Sequence, residues 1–306
     1  MSIKKYLEDP GYYAILAYGK LLPDTLKADA GYLKLLYKYK MKKPLDLEHP
    51  TTFNEKLQWL KLYDRRPEYT TMVDKYDVKN YVASIIGEEY VIKTLGVWDK
   101  FEDIDFDSLP DRFVLKCTHD SGGIVICRDK SVFDKKKAEK IIKHSLRRRY
   151  YFGGREWPYK NVPPRIIAEE YLEDCNAGSE RVLTDYKFFC FGGKPEFMYI
   201  SDDKGSDPHT DFFDMNYNRL DMRLRDPNSE TPPEKPICFE KMKELSAILS
   251  EGIPHLRVDF YQVNGRVYVG ELTFFHCGGF VPFSPDSWNT VIGDMIDLDL
   301  VKKDSK

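Results

Sequence analysis

An α+β fold, with strands paired as hairpins and helices set apart from them, is the architecture this sequence predicts. Two pairs of strand-like runs carry the argument, 186–191 with 196–200 and 256–263 with 266–272. Each pair is rich in β-branched and aromatic residues and is joined by a short glycine-containing connector, 192–195 in the first and Asn264-Gly265 in the second. Helical patterns fill the first 65 residues and recur at 74–86, 134–150 and 239–251. A doubly wound parallel sheet would instead alternate strand and helix throughout.

Taken in order, residues 1–65 read as a helical region. Within it, 32–43 is a basic amphipathic stretch ended by Pro44. Thr52 and Glu55 have the spacing of a capping box ahead of Leu57, Trp59, Leu60 and Leu62. A helix follows from Asp74 to Ile86, with Asp74 at its start and Gly87 as its C-cap. Strands are expected at 112–116, 123–128 and 165–172, with the 134–150 helix between the last two. A polar loop at 173–184 leads into the first hairpin. Residues 201–236 are polar and Pro-rich with a short strand at 211–217, and the 239–251 helix precedes the second hairpin. No internal repeat is visible.

The 306 residues are 42% hydrophobic and 32% charged, enough apolar material for a substantial core under a soluble surface. A net charge of -3 argues against a nucleic-acid binder, whose footprint would be strongly basic. The six cysteines, 117, 127, 175, 190, 238 and 277, form no C-x-x-C pair. Cys117, Cys127 and Cys190 fall in strand patterns, where a thiol packs as a small hydrophobe. A reducing cytoplasm is the simpler expectation, and neither a signal peptide nor a span of roughly 18 apolar residues is present.

Asp259 and Glu271 flank the Asn264-Gly265 turn, in strand patterns that normally exclude acids. Two converging carboxylates suit Mg²⁺, which takes oxygen ligands and usually bridges substrate phosphates. Their convergence depends on register. A tight two-residue turn pairs 259 with 270 and puts the acids on opposite faces. A three-residue loop over 263–265 pairs 259 with 269 and 257 with 271, and places Arg257, Asp259 and Glu271 on one face. Metal binding therefore predicts the odd-length loop. Upstream, Lys116 ends an apolar strand and opens into Thr118, His119, Asp120, Ser121, Gly122 and Gly123, a turn whose glycines allow the close backbone approach that phosphates need. Together the two features suggest an ATP-using enzyme.

The order of these features over residues 70–290 resembles the ATP-grasp superfamily. More narrowly, the Glu169–Leu172 segment, Glu-Glu-Tyr-Leu, and the run from Asp185 to Pro195 look like the TupA-like ATP-grasp proteins, a group linked to teichuronopeptide and other cell-surface polysaccharide biosynthesis. The resemblance implies two α+β subdomains gripping ATP within 66–306, a nucleotide-binding one at about 112–172 and a catalytic one at about 185–300. It implies that Lys75 and Lys116 contact phosphates together with Ser121, Gly122 and Gly123, while Glu169, Glu170, Tyr171 and Leu172 form the adenine hinge. Asp185 then serves the ribose, Lys187 helps neutralise phosphates, and Asp259, Glu271 and Thr273 ligate Mg²⁺. Arg257 matches the arginine that stabilises charge on the transferring group. Where many relatives carry Glu-x-Asn, this chain has Glu271-Leu-Thr273, and a hydroxyl is a poorer Mg²⁺ ligand than an amide carbonyl. His276, just beyond, is a candidate acceptor ligand or base, or a structural histidine.

The implied activity is a Mg-ATP-dependent carboxylate–amine ligase working through an acyl phosphate. Two rivals stand beside it: a glycosyltransferase whose paired acids hold Mg²⁺ against a nucleotide-sugar, and a catalytically silent nucleotide-binding module. The basic segment 135–165, with Lys135–Lys137, Arg147–Arg149, Arg155 and Lys160, reads either as a solvated face or as an approach for an anionic acceptor such as a uronic-acid glycan. The aromatic, basic N-terminal helices read as a packed subdomain, with contact to the inner membrane face as the alternative.

Overall fold

A computed structural model describes residues 9–174, 183–202 and 208–301. Cys175 and most of the 173–184 loop lie outside the described residues. Two antiparallel sheets dominate, as expected for an α+β fold. The first has the order β1 (Thr94–Trp98), β4 (Ile166–Glu170), β2 (Phe113–Cys117), β3 (Val125–Cys127). The second runs β7 (His209–Asp214), β6 (Lys194–Asp202), β5 (Asp185–Phe191), β8 (Leu256–Val263), β9 (Arg266–Thr273).

The helices are α1 (Pro10–Leu21), α2 (Leu26–Met41), α3 (Phe53–Tyr63), α4 (Glu68–Val73), α5 (Asp77–Ile86), α6 (Lys135–Leu146), α7 (Tyr151–Gly154), α8 (Phe239–Leu249) and α9 (Ser287–Met295). The expected 134–150 helix stops at Leu146, and a separate short turn, α7, resumes at Tyr151. The helix expected from Asp74 begins at Asp77 instead. Asp74 still caps it, accepting from the backbone N–H groups of Tyr76 (2.8 Å) and Asp77 (3.3 Å).

The second sheet is covered on both faces, which explains why the second half of β5, Phe188–Phe191, is buried and apolar on both sides. Successive side chains point to opposite faces. Phe188 accordingly packs against Phe239 of α8, and Phe189 against Phe53 of α3. The Thr52–Glu55 capping box forms as the spacing predicted, fixing the start of α3 against this sheet. Cys117 and Cys127 pack in the core of the first sheet beside Ala138 and Ile142 of α6, and Cys190 packs in the core of the second.

The N-terminal helices turn their aromatic residues inward. Tyr32, Leu33, Leu36 and Tyr37 of α2 are buried, and the Tyr32 hydroxyl donates to the carbonyls of Phe152 and Gly153 in α7, each at 3.2 Å. Asp29, also buried, accepts from Arg65 and Tyr151, forms an ion pair with Arg155 at 3.0 Å, and ties α2 to both neighbours.

Candidate active site

Asp259 and Glu271 do face each other, but by a route other than the expected loop. Asn264 and Gly265 both adopt left-handed φ angles, 51° and 75°, the signature of a tight two-residue turn. The pairing starts at Val263 with Arg266 and continues to Phe260 with Val269. It then slips by one residue, so that Asp259 lies opposite Glu271 and Arg257 opposite Thr273. Gly270 is the extra residue, a β-bulge inside β9. A β-carbon there would sit 2.8 Å from the Tyr261 ring and 3.4 Å from the Asp259 carbonyl oxygen, which is why glycine occupies the position. The three-residue loop is thus corrected to a tight turn plus a bulge, and Arg257 faces Thr273, not Glu271.

Arg257 organises the buried end of this face. Its Nε and Nη2 donate to the two carboxylate oxygens of Asp259, both at 2.7 Å, a bidentate pair. Nη2 also donates to the Thr273 hydroxyl at 3.0 Å, and Nη1 donates to His276 Nδ1 at 2.7 Å. A guanidinium only donates, so Nδ1 must accept and His276 is neutral with its proton on Nε2. Burial and the adjacent Arg257 charge push the His276 pKa well below its ordinary value. His276 therefore positions the arginine. Lys187 reaches Asp185 at 3.1 Å and Asp259 at 3.6 Å. Asp185, expected at a ribose, is thus held by a lysine; burial raises its carboxyl pKa against the Lys187 charge.

Glu271 is the freer of the paired acids. Its nearest cations are Lys75 at 3.6 Å and Arg257 at 4.0 Å, and 32% of its side chain is exposed. It opens onto a narrow cleft of only about 20 Å³ that lies between the sheets and is lined also by Lys75, Lys79, Lys116, Glu169 and Gly270. Lys75 spans from Glu271 to the Asp120 carbonyl, 2.6 Å away. Lys116 and Lys79 clasp Glu169 from either side, at 2.6 Å and 2.7 Å. Burial acts to raise the Glu169 carboxyl, but the two lysines outweigh it and the pKa falls below its ordinary value. Lys79 is a site residue that sequence pattern alone does not mark. Its only signal is its place four residues after Lys75, in the first turn of α5.

The remaining expected residues are placed differently. Glu169 is enclosed by Lys79 and Lys116, and the Glu170 N–H donates to the Lys93 carbonyl at 3.0 Å. The Tyr171 ring lies under the Arg112 guanidinium. Glu170, Tyr171 and Leu172 do not line the cleft. Nor do Ser121, Gly122 and Gly123, whose loop is built against α6. Asp120 accepts from the Gly122 N–H (3.0 Å), Ser145 (2.7 Å) and Arg148 (3.2 Å), while Gly123, at φ 66°, leaves only 2.2 Å between a β-carbon and Ser145 Oγ. These glycines serve helix packing.

One further acid belongs to the neighbourhood. Glu156 is buried, and burial together with the charge of Glu271 raises its pKa while nearby Lys61 opposes the rise. Lys61 itself is fully buried, donating to Gln58 (2.9 Å) and to the Gly278 carbonyl (2.7 Å).

The donor set suits the phosphates of a nucleotide and their Mg²⁺, while the cleft as it stands is too narrow to enclose the whole nucleotide. Two facing carboxylates suffice for an ion that completes its shell with water and phosphate oxygens, and Glu271 has no tight partner to displace. Three lysines converge on the same cleft. Among the described residues no group of three or more His, Cys, Asp and Glu side chains is arranged to hold a metal ion.

Comparison with known proteins places the chain in a family. No curated protein matches the chain significantly. Similar solved structures include D-alanine–D-alanine ligase from Bacillus anthracis (18% identity, TM-score 0.43), which aligns over 74% of this chain and 65% of its own. The ATP-grasp ligase PsnB complexed with minimal precursor, Mg and ADP aligns over 81% and 62% (9% identity, TM-score 0.39). N5-carboxyaminoimidazole ribonucleotide synthetase from Thermus thermophilus aligns over 74% and 53% (12% identity, TM-score 0.39). The chain thus spans less than two thirds of the length of each. The family model for TupA-like ATP-grasp proteins matches residues 55–297, from α3 through the β8–β9 hairpin to the end of α9. With the match extending over most of its length, the chain belongs to the TupA-like family of the ATP-grasp superfamily.

Proposed function

We propose that this protein is a Mg-ATP-dependent ligase that joins a carboxylate to an amine through an acyl phosphate, in the assembly of a cell-surface polysaccharide. The observation that carries the reading is the Gly270 bulge, which turns Glu271 onto the face of Asp259 at the mouth of a three-lysine cleft. Lys75, Lys79 and Lys116 hold the nucleotide phosphates, and Glu169 keeps two of them oriented. Mg²⁺, held by Asp259 and Glu271, would neutralise charge on the phosphate oxygens. A substrate carboxylate oxygen attacks the γ-phosphorus, the bridging P–O bond breaks, and ADP leaves. An amine nitrogen then attacks the acyl carbon, and inorganic phosphate departs with the bonding pair as the nitrogen loses a proton. Arg257 has four of its five N–H groups engaged by Asp259, Thr273 and His276, and offers the fifth, on Nη1, to the reacting oxygens. A reaction drawing on ATP belongs on the cytoplasmic side of the envelope; among the described residues no helix is long and apolar enough to cross a membrane.

The test is ADP release measured over a panel of uronic acids, amino acids and sugar nucleotides. Release that requires both an acid and an amine supports the ligase. Release of UDP or GDP from a nucleotide-sugar, with ATP ignored, would establish a glycosyltransferase instead. One observation favours a silent nucleotide-binding module: both Asp259 oxygens and the Thr273 hydroxyl already accept from Arg257. That reading requires ATP binding without acceptor-dependent turnover, and full biological activity in Glu271→Ala.

A further inference from the structure

A second cavity, about 400 Å³, lies between the α1–α2 connection, α7 and the 118–123 loop. Its wall carries five cationic residues, Lys20, Arg148, Arg149, Arg155 and Lys160, against a single carboxylate, Asp24, which pairs with Lys160. Arg148 and Arg155 are matched by Asp120 and Asp29 outside the wall. Among the described residues no carboxylate lies within ion-pair distance of Lys20 or Arg149. The cavity is therefore electropositive.

Three buried polar atoms on its lining residues have no hydrogen-bond partner, Nε and Nη1 of Arg155 and Nδ1 of His119; Nε lies in the Asp29 ion pair, which leaves Nη1 and Nδ1 without any counterpart. Buried polar atoms are rarely left so, and two in one cavity mark a place where a ligand completes the bonding. They ask for different things. The guanidinium nitrogen of Arg155 can only donate, so it seeks an acceptor such as an anionic oxygen. His119 Nε2 stands 3.1 Å from the Arg148 carbonyl, which can only accept, so Nε2 carries the proton and Nδ1 offers a lone pair. Burial keeps this imidazole neutral by lowering its pKa. A neutral Nδ1 accepts from a hydroxyl. Tyr150 and Tyr159, with ring centroids 4.7 Å apart, add aromatic surface of the kind that packs against a pyranose ring.

We infer that this cavity binds a hydroxylated ring bearing one anionic group, a sugar acid or a sugar phosphate, with the anion at Arg149 and Arg155 and a ring hydroxyl on His119. Its place in catalysis rests on the ligase reading. The binding itself does not rest on that reading.

The experiment is calorimetric titration of the whole protein, without ATP, using glucuronate, glucose 1-phosphate, glucose and inorganic phosphate as probes. Glucuronate or glucose 1-phosphate binds at least about tenfold more tightly than glucose and than phosphate, and the stronger of the two identifies the anion. His119→Leu and Arg149→Ala each weaken that binding about tenfold, the loss of one hydrogen bond to a charged or well-placed group, while Arg149→Lys restores part of it. Arg149 is exposed, so an unchanged melting temperature in its variants shows an intact fold. Equal affinity for glucose would overturn the anion, equal affinity for inorganic phosphate would overturn the ring, and no binding of any probe would overturn the site. ADP release assayed separately decides the ligase: sugar binding with no turnover would remove that reading and leave the cavity standing.

Discussion

Asp259 stands opposite Glu271 because Gly270 bulges out of the β9 ladder; paired without that bulge, the tight Asn264-Gly265 turn would place Asp259 against Gly270 and send the second carboxylate to the other face. The geometry makes Gly270 a sensitive position. A β-carbon there meets the Tyr261 ring at 2.8 Å. Gly270→Ala is expected to cost about 1–3 kcal/mol in urea unfolding, the range for overpacking, and to depress ADP release further than the stability loss explains. Tyr261→Leu combined with Gly270→Ala should recover part of both. Additive losses in the double variant would show that the contact is not the cause.

Glu271 is expected to carry the dependence on divalent metal, because it is the acid without a tight partner. In Glu271→Gln the Mg²⁺ concentration for half-maximal ADP release rises at least about tenfold, while the fold, probed by circular dichroism, is unchanged. An unaltered Mg²⁺ response would remove Glu271 from the metal site. Asp259→Asn is predicted to behave differently, since it strips Arg257 of its buried counter-charge and destabilises the protein as well.

Much of this was legible in the chain, and what was not has physical reasons. The two hairpins, the Thr52–Glu55 box and the facing acids are encoded by residues close in sequence, where turn chemistry and capping act. The bulge had a local signal, a lone glycine inside a strand pattern, but the turn and the bulge make opposite one-residue shifts, and periodicity alone does not apportion them. Lys79 is not legible because a helical lysine is usually solvated; only the Glu169 carboxylate, brought over from β4, gives it a role. The glycines at 122 and 123 look like a phosphate loop, yet the close approach they permit is to Arg148 and Ser145 around the end of α6. The second cavity joins Lys20 with Lys160, far apart along the chain, and no spacing rule reaches that far.

The Lys79–Glu169–Lys116 cluster makes a prediction that separates structure from binding. All three side chains are largely buried, so Glu169→Gln leaves two lysines facing each other without their counter-ion. Breaking a buried pair typically costs about 3–5 kcal/mol, and the variant should lose stability on that scale in denaturant. Nucleotide phosphates would supply the missing negative charge. Saturating ATP is therefore expected to raise the melting temperature of Glu169→Gln by more than it raises that of the parent. The pH dependence follows from the lowered Glu169 pKa. The carboxylate's contribution is complete above its ordinary pKa of 4.5 and is lost as pH falls through the depressed folded value. The variant should show a shallower loss of stability below pH about 4.5. An equal ATP shift in both proteins would mean that the phosphates bind elsewhere.

His255 supplies an acid-sensitive element in the core. Its ring packs among Phe53, Phe189 and Phe191, and its Nδ1 lies 3.2 Å from the Cys190 carbonyl, which fixes it as the donor. Burial lowers its pKa from 6.5 to about 3. The unfolded chain therefore binds a proton near pH 6.5 that the folded chain refuses until about pH 3. Stability tied to this residue is full above pH 6.5 and drains away as the pH drops through that window. His276 beside Arg257 behaves in the same direction. Denaturant midpoints measured from about pH 7.5 to about 4.5 should fall for the parent, and fall less steeply for His255→Phe, which keeps the aromatic packing and removes the titration. A slope identical to the parent's would show that His255 takes up its proton without unfolding, and that the ring is wetter than its surroundings imply.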